Sequence, residues 1–444
     1  MNAPGRSISI VGAGLAGALL ALLMARRGLA VTLYERRADP RQSQPERGRS
    51  INLALAARGI RALQHAGIME QVQPLLIPMR GRMVHERGAA TLQPYGQRPD
   101  EVIWSVGRGD LNRVLIEAAR RHPGVQVHFE HTCLGVDLQR AQLRLREVAR
   151  EHSVPLTALI ATDGAGSVVR ASLAASGVIR SREEWLDHDY KELTVTAAAA
   201  AGTLLREALH IWPRGGFMLI ALPNTDGSFT ATLFLARASF AALNSPVAVS
   251  DFFREHFADA LPLLPDLGAQ FHSHPQGQLG TVRCAPWHVS GQVLLLGDAA
   301  HAIVPFHGQG MNAAFEDCAV LDALLDQHDD WETCFAAFEQ ARRANADAIA
   351  TMALENYTEM RDAVRDVTYL RRKDFAMALE RGFPDRFIPR YSMVMFHPEI
   401  PYAEALRRGA LQTQLLQELD PGPDSQLDLA QAGKLLSERL PRLG

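Results

Sequence analysis

Residues 7–37 read SISIVGAGLAGALLALLMARRGLAVTLYERR, and no other stretch limits the fold so strongly. An apolar run, Ile8 to Val11, breaks at Gly12. The segment LAGALLALLMARRG then has the composition of a buried helix closing on Gly28, and AVTLYE returns as a second strand. Gly12, Gly14 and Gly17 give the GxGxxG spacing of a β-α-β dinucleotide site. The first glycine permits the tight turn, the second lets a pyrophosphate approach the backbone, and the third allows helix and strand to pack closely. Helix amides at the turn face the phosphates, where the helix dipole favours negative charge. Glu35 ends the second strand, eighteen residues after Gly17, placed to accept both hydroxyls of a ribose.

Two later runs end in the same kind of turn. PLTALIATDGAGSVVR reaches Asp163-Gly164 and is followed by Arg170, and QVLLLGDAAHAIVPFHGQGMN reaches Gly297-Asp298. Ligands of open parallel sheets lie beyond the carboxyl ends of the strands. Three such ends, far apart in sequence, suit one long cofactor, and FAD fits better than a nicotinamide dinucleotide. The third loop runs into a helix start, where the amides of Met311 and Asn312 can face the pyrimidine edge of a flavin. Asp298 would hold the ribityl and phosphate region. Taken singly, Asp163 and Asp298 would read as turn formers or helix caps.

The remaining chain gives the layout. YKELTVTAAAA, ALHIWPRGGFMLIALPN and GSFTATLFLA are strand-like, and PNTDG is a hairpin-type turn. From Asp329 onward the pattern is helical, with a Pro/Gly break at 420 to 424. The expected fold is α/β: a Rossmann-type FAD-binding domain with an inserted antiparallel sheet and a C-terminal helical region. Residues 1–178 form the first part of the FAD domain, with about 71–100 reaching the substrate pocket. Residues 179–284 form the antiparallel substrate domain, 285–335 the second FAD part, and 336–444 the helical region.

Composition excludes several classes of function. A formal net charge of −3 over 444 residues gives no general attraction to nucleic acid or anionic membranes. Four widely spaced cysteines, with no CxxC, match no metal-ligand pattern and fit a reducing compartment. The amino terminus runs straight into a strand, and no apolar run reaches spanning length, so the expectation is a soluble, cytoplasmic protein.

The three cofactor segments together resemble the single-component flavoprotein aromatic hydroxylases. Within them, GRSINLALAARGIRAL (48–63), MRGRMVHE with QPYG (79–96), SVGRGDLNRVLIEAA (105–119), ENYTEMRDAV (355–364) and RYSMVMFHPEIPYAEALRR (390–408) resemble the kynurenine 3-monooxygenase family. The resemblance covers the chain from the first strand to about Arg408, and the NYTEM and YSMV segments are its most particular part. It implies hydroxylation of L-kynurenine to 3-hydroxy-L-kynurenine with NADPH and O2 through a flavin hydroperoxide, in tryptophan catabolism on the route to pyridine nucleotides.

Residue roles carry over by position. Arg82 matches the clamp for the substrate carboxylate, and Tyr95, Asn356 and Tyr391 match its hydrogen-bonding companions. Arg82 and Tyr95 stand one residue closer together than in the family, and the turn HERGAAT can absorb this. Cofactor contacts are implied for Ala54, Arg108, Leu134, Asp163, Asp298, Met311 and Asn312. Gly12, Gly14, Ala16, Gly17, Glu35, Arg37 and Gly310 complete that set. His307 holds a position where some members carry Phe, as a pocket wall. The chemistry agrees: a carboxylate calls for the planar, bidentate donor that arginine supplies. Ile103, Phe234, Phe306 and Met360 are candidates to enclose the aromatic ring. No residue is assigned as catalytic acid or base, because kynurenine's ring amine already activates the ring and the flavin carries the chemistry.

Alternatives stay open. One is a hydroxylase of another aromatic acid, which would keep the flavin motifs without the amino-acid clamp. Another is a flavin reductase or dehydrogenase that transfers no oxygen. Eukaryotic members of the family carry a C-terminal membrane anchor. Here the tail after Arg408 is polar and amphipathic, free to cover the active-site entrance, pack on the helices or mediate a homodimer. The single fingerprint leaves NADPH as a transient visitor whose site the sequence does not reveal.

Overall fold

The structure, a computed structural model, describes residues 7–42, 52–86, 88–362, 366–420, 422 and 426–443. Positions 48–51 of the first family motif, Arg87 in the turn before QPYG, 363–364 of the ENYTEM segment and all but 420 and 422 of the Pro/Gly break lie outside the described residues.

The first strand, Ser7–Val11, pairs in parallel with Ala30–Tyr34 on one side and with Leu159–Ala161 on the other. Leu159–Ala161 pairs in turn with Val293–Leu295. The three strand ends singled out by their turns are therefore neighbours in one six-stranded sheet. Strands of this kind are covered on both faces, which is why they read as unbroken apolar runs. Ile8, Ile10, Leu159, Ile160, Val293 and Leu294 are almost fully buried. The helix Leu15–Arg26 is apolar all round because it is enclosed by the sheet and by the helices Arg108–Arg121 and Gly310–Leu324.

A second sheet of seven strands runs in the order Gln276–Ala285, Arg180–Val195, Phe229–Ala236, Met218–Pro223, Ala208–Pro213, Gly81–Glu86 and Ala89–Pro94. Its pairings are antiparallel except that Ala208–Pro213 runs parallel to Gly81–Glu86. The hairpin at 81–94 thus leaves the cofactor half of the chain and completes the far edge of this sheet. Arg82 is placed opposite Leu209 on one side and Gln93 on the other.

The carboxyl-terminal part is helical: Trp331–Asp362, Val367–Gly382, Arg390–Phe396, Tyr402–Leu419 and Leu429–Arg439. The first of these packs on Tyr402–Leu419 and on the turn Pro305–His307. One apolar cluster joins Met79, Ile103 and Phe234 to Phe306, Met352 and Met393. It fixes the helices against the second sheet, and the site opens along that seam.

Candidate active site

The fingerprint turn has the shape its glycines require. A side chain at Gly17 would place its Cβ 1.9 Å from the Gly12 carbonyl oxygen, whereas one at Gly14 would meet nothing within 4 Å. Helix and strand are in contact at Gly17, and the space in front of Gly14 is open for a ligand. Glu35 is aligned by the backbone, accepting the Ala13 N–H at 2.8 Å and the Arg37 N–H at 3.0 Å. Thr162 donates to the Val11 and Gly12 carbonyls at 3.0 and 2.8 Å, tying the second strand end to the first. Asn112, which sequence reading passed over, donates to the Ala13 carbonyl at 2.9 Å.

The two later aspartates differ in their surroundings. Asp163 caps the helix Val168–Ala175, accepting the Val168 and Val169 amides at 2.8 and 3.3 Å. Its other carboxylate oxygen is buried without a partner, and burial pushes its pKa up. Its neighbours Thr162, Gly164 and Ala165 line the cavity, and Asp163 does not. Asp298 itself lines the cavity, at the start of the short helix Asp298–His301.

A buried ionic array holds this third loop. His301 meets Asp317 at 2.6 Å, and Asp317 accepts Arg342 Nε at 2.6 Å. Arg342 and Arg58 both lie 2.7 Å from the Glu316 carboxylate. Arg58 also donates to the Ile400 carbonyl and stacks over Tyr402 at 3.9 Å. Burial alone would push Asp317 up, but His301 and Arg342 outweigh it and hold the carboxyl at about 2. Asn312 acts as a second tie. Its side chain accepts the Ala56 amide at 2.9 Å and donates to the Ala54 and Gly308 carbonyls, both at 2.8 Å. Ala54 and Ala56 are remote from Asn312 in sequence, and only the polar residues on an otherwise apolar helix hinted at such ties.

A cavity of about 890 Å³ runs from the fingerprint to the second sheet. At the cofactor end it is lined by Gly14, Ala16, Ala54, Arg108, Asp298, Gly310 and Met311. Gly12, Gly17, Glu35, Arg37, Leu134, Asp163 and Asn312 lie outside its lining. Leu134 belongs to the strand His131–Asp137, and the Arg37 carbonyl accepts the amide of Glu130 just before that strand. Beyond the cofactor end the walls become apolar, with Ile103, Phe234, Phe306 and Met360. Phe306 stacks on Tyr357 at 4.0 Å, and its carbonyl accepts the Asn356 amide at 2.7 Å.

Arg82 closes the far end. It is 6% exposed and sits in an aromatic corner, its guanidinium carbon 4.9 Å from the Tyr391 ring centroid and 5.6 Å from that of Tyr95. Tyr95 and His307 each stack on Tyr391, at 5.8 and 5.3 Å. Burial opposes the charge of Arg82, but the oxygens of Tyr391, Tyr95 and Glu359 outweigh it and raise the pKa. The nearest acid is Glu359, 3.5 Å away, which also accepts the Tyr369 hydroxyl at 2.6 Å. Arg82 Nε has no hydrogen-bond partner. A buried guanidinium with an unfilled donor, beside an apolar cavity, can give charge-assisted hydrogen bonds to an acceptor that enters it. His307 is neutral at pH 7, since burial pushes its imidazole down to about 4. Behind Arg82 lies a second cavity of about 390 Å³, reached by Asn356, Glu359, Tyr369 and Lys373. Burial, then the Arg82 charge, lowers Lys373 to about 8.

The chain is similar to known proteins over nearly its whole length. The FAD-binding domain family matches residues 6–351. The kynurenine 3-monooxygenase of Stenotrophomonas maltophilia (strain K279a) is 49% identical over 427 residues, covering 95% of this chain and 93% of the relative. The kynurenine 3-monooxygenase of Xanthomonas oryzae pv. oryzae (strain MAFF 311018) is 47% identical over 444 residues, covering 98% of this chain and 97% of the relative. This chain belongs to the kynurenine 3-monooxygenase family. Solved structures further off share the fold. A 2-methyl-3-hydroxypyridine-5-carboxylic acid oxygenase aligns with a TM-score of 0.69 at 18% identity, over 82% of this chain and 94% of that one. PqsL of Pseudomonas aeruginosa, described as a probable FAD-dependent monooxygenase, aligns at 0.64 and 20%, over 82% and 99%.

Members of the family are flavoproteins, and the residues here fit FAD. The open space before Gly14, the aligned carboxylate of Glu35 and a cavity leading from the fingerprint to an apolar chamber match its length and mixed polarity. No helix among the described residues is long and apolar enough to cross a membrane.

Proposed function

We propose that the chain is an FAD-dependent monooxygenase that converts L-kynurenine to 3-hydroxy-L-kynurenine with NADPH and O2. The observation that carries this reading is the buried, aromatic-walled Arg82 at the far end of the cavity that starts at the dinucleotide fingerprint. Arg82 takes the substrate's α-carboxylate, and Tyr95 and Tyr391 add directional hydroxyls from rings that remain apolar. Asn356 positions the Phe306 wall through its carbonyl and reaches the same clamp from the second cavity. Ile103, Phe234, Phe306 and Met360 enclose the aromatic ring and exclude water. Gly12, Gly14, Ala16, Gly17, Glu35 and Arg37 bind the adenosine and pyrophosphate. Ala54, Arg108, Leu134, Asp163, Asp298, Gly310, Met311 and Asn312 complete the cofactor site, directly or by shaping its walls.

When bound, the flavin accepts electrons from NADPH and activates oxygen for transfer to the ring. The substrate's own ring amine supplies the electron density, so the protein's part is placement and desolvation. The reading sets the enzyme in the cytoplasm as a soluble protein.

The test is NADPH oxidation by the purified yellow protein with and without L-kynurenine, with mass detection of the product. Strong stimulation with a product one oxygen heavier is expected. Stimulation without an oxygenated product would assign kynurenine the role of effector and point to another aromatic acid. A flat response would remove the assignment.

A further inference from the structure

The arginine clamp has an acid built into it. Glu359 Oε1 lies 3.5 Å from Arg82 Nη1, longer than the roughly 2.8 Å of a close guanidinium–carboxylate pair. The short bond on that oxygen comes from elsewhere, the Tyr369 hydroxyl at 2.6 Å. Both contacts use Oε1, whereas a carboxylate accepts about four hydrogen bonds. Glu359 therefore balances Arg82 loosely and retains acceptor capacity.

The helix Trp331–Asp362 sets its place. Asn356 and Glu359 stand three positions apart, on one face, and both line the second cavity. Met360, one position on, lines the large cavity with Ile103, Phe234 and Phe306. Arg82, Tyr95, His307 and Tyr391 line both cavities, so the clamp is their common wall. A molecule with its carboxylate on Arg82 and its ring in the apolar chamber has its α-carbon at this wall. The remaining substituent of that carbon is then within reach of side chains of the second cavity.

For a simple carboxylic acid this corner is unfavourable. Its carboxylate would share Arg82 with the charge of Glu359, and like charges brought together repel. An α-amino acid carries an ammonium one carbon from its carboxylate. That ammonium meets Glu359 and replaces repulsion with a charge-assisted hydrogen bond.

We propose that Glu359 receives the α-ammonium of the substrate, with Tyr369 as the residue that positions it. The inference deepens the reading of the chain as an L-kynurenine hydroxylase and rests on it. Carboxylate on Arg82, ammonium on Glu359 and ring in the apolar chamber make three points of attachment. Three points distinguish the two hands of an α-carbon, and the second disfavours aromatic acids that lack the amine. A mere counter-charge for Arg82 would act alike on every carboxylate ligand. An ammonium receptor acts only on those that carry the amine.

The experiment uses the flavin-loaded enzyme, as wild type and as the Glu359→Gln and Tyr369→Phe variants. L-kynurenine and its deaminated counterpart, ortho-aminobenzoylpropionic acid, are each titrated against flavin absorbance. The wild type should hold L-kynurenine at least about tenfold more tightly than the deaminated acid. Glu359→Gln should raise the dissociation constant of L-kynurenine about 10- to 100-fold, as loss of one charge-assisted hydrogen bond does. The constant of the deaminated acid should stay or fall. Tyr369→Phe should weaken L-kynurenine by less and leave the deaminated acid unmoved. Equal wild-type affinities for the two acids would overturn the proposal, and that comparison needs no variant to fold. Equal losses for both acids in Glu359→Gln would also overturn it, leaving Glu359 as a counter-charge alone. Tight wild-type binding of L-kynurenine with no effect of Glu359→Gln sinks this inference and leaves the proposed function standing. A wild type that does not bind L-kynurenine removes the substrate assignment, and this inference with it.

Discussion

Arg82 and Tyr391 face each other as cation and ring, 4.9 Å apart, although 309 positions separate them in the chain. One comes from an edge hairpin of the second sheet and the other from a helix near the carboxyl terminus. Arg82→Lys keeps the charge but loses the planar fork and the stacking. Its expected effect is a fall of about 10- to 100-fold in kcat/KM for L-kynurenine, the loss of one charge-assisted hydrogen bond at about 1.5–3 kcal/mol. The variant should stay yellow, and steady-state kinetics with flavin absorbance checks both points.

The two glycines of the fingerprint should fail in different ways. Gly14→Ala adds a methyl group to open space, so the protein should fold normally and bind FAD more weakly. Gly17→Ala forces a Cβ to 1.9 Å from a backbone oxygen and should not yield folded protein. Thermal denaturation of the flavin-free proteins, followed by flavin titration, separates the two.

Asp317→Asn removes the charge that balances buried His301 and Arg342. Breaking a buried pair by losing one partner costs about 3–5 kcal/mol. Urea denaturation should show a loss of that order, with flavin binding weakened because the loop that begins at Gly297 is no longer held.

The pH dependence of stability has a defined sign. Burial lowers His307 to about 4, and His85 also to about 4, where the adjoining His210 adds to the effect of burial. An unfolded histidine titrates near 6.5. Between these values the unfolded chain binds more protons, so the stability present above about pH 6.5 is lost as pH falls toward 4. His307→Phe keeps a ring beside Tyr391 and abolishes this titration. Comparing urea unfolding at pH 7 and pH 5 should show a loss smaller by about 2 kcal/mol in the variant.

The parts legible in the sequence were those in which local pattern and fold agree. Glycine spacing, apolar runs and acid-bearing turns marked the three strand ends, and these sit side by side in one sheet. Alternating strands marked the antiparallel sheet, but nothing local said that 81–94 would complete its edge, since strand pairing is non-local. Asp163 and Asn312 show a further limit. Both stand in cofactor motifs, yet in the structure one caps a helix and the other ties two loops.

The parallel sheet carries a consequence for how such a chain comes into being. Its central strands are drawn from residues 7–11, 159–161 and 293–295. A ribosome delivers the first of these long before the last, with the whole antiparallel sheet in between. Until Leu295 has emerged, the fingerprint at Gly12 to Gly17 has only part of its sheet, and the helix bearing Met311 and Asn312 does not yet exist. Cofactor capture is therefore a late event in biosynthesis. A nascent chain stalled before that point would present a half-built nucleotide fold with its apolar strand edge uncovered.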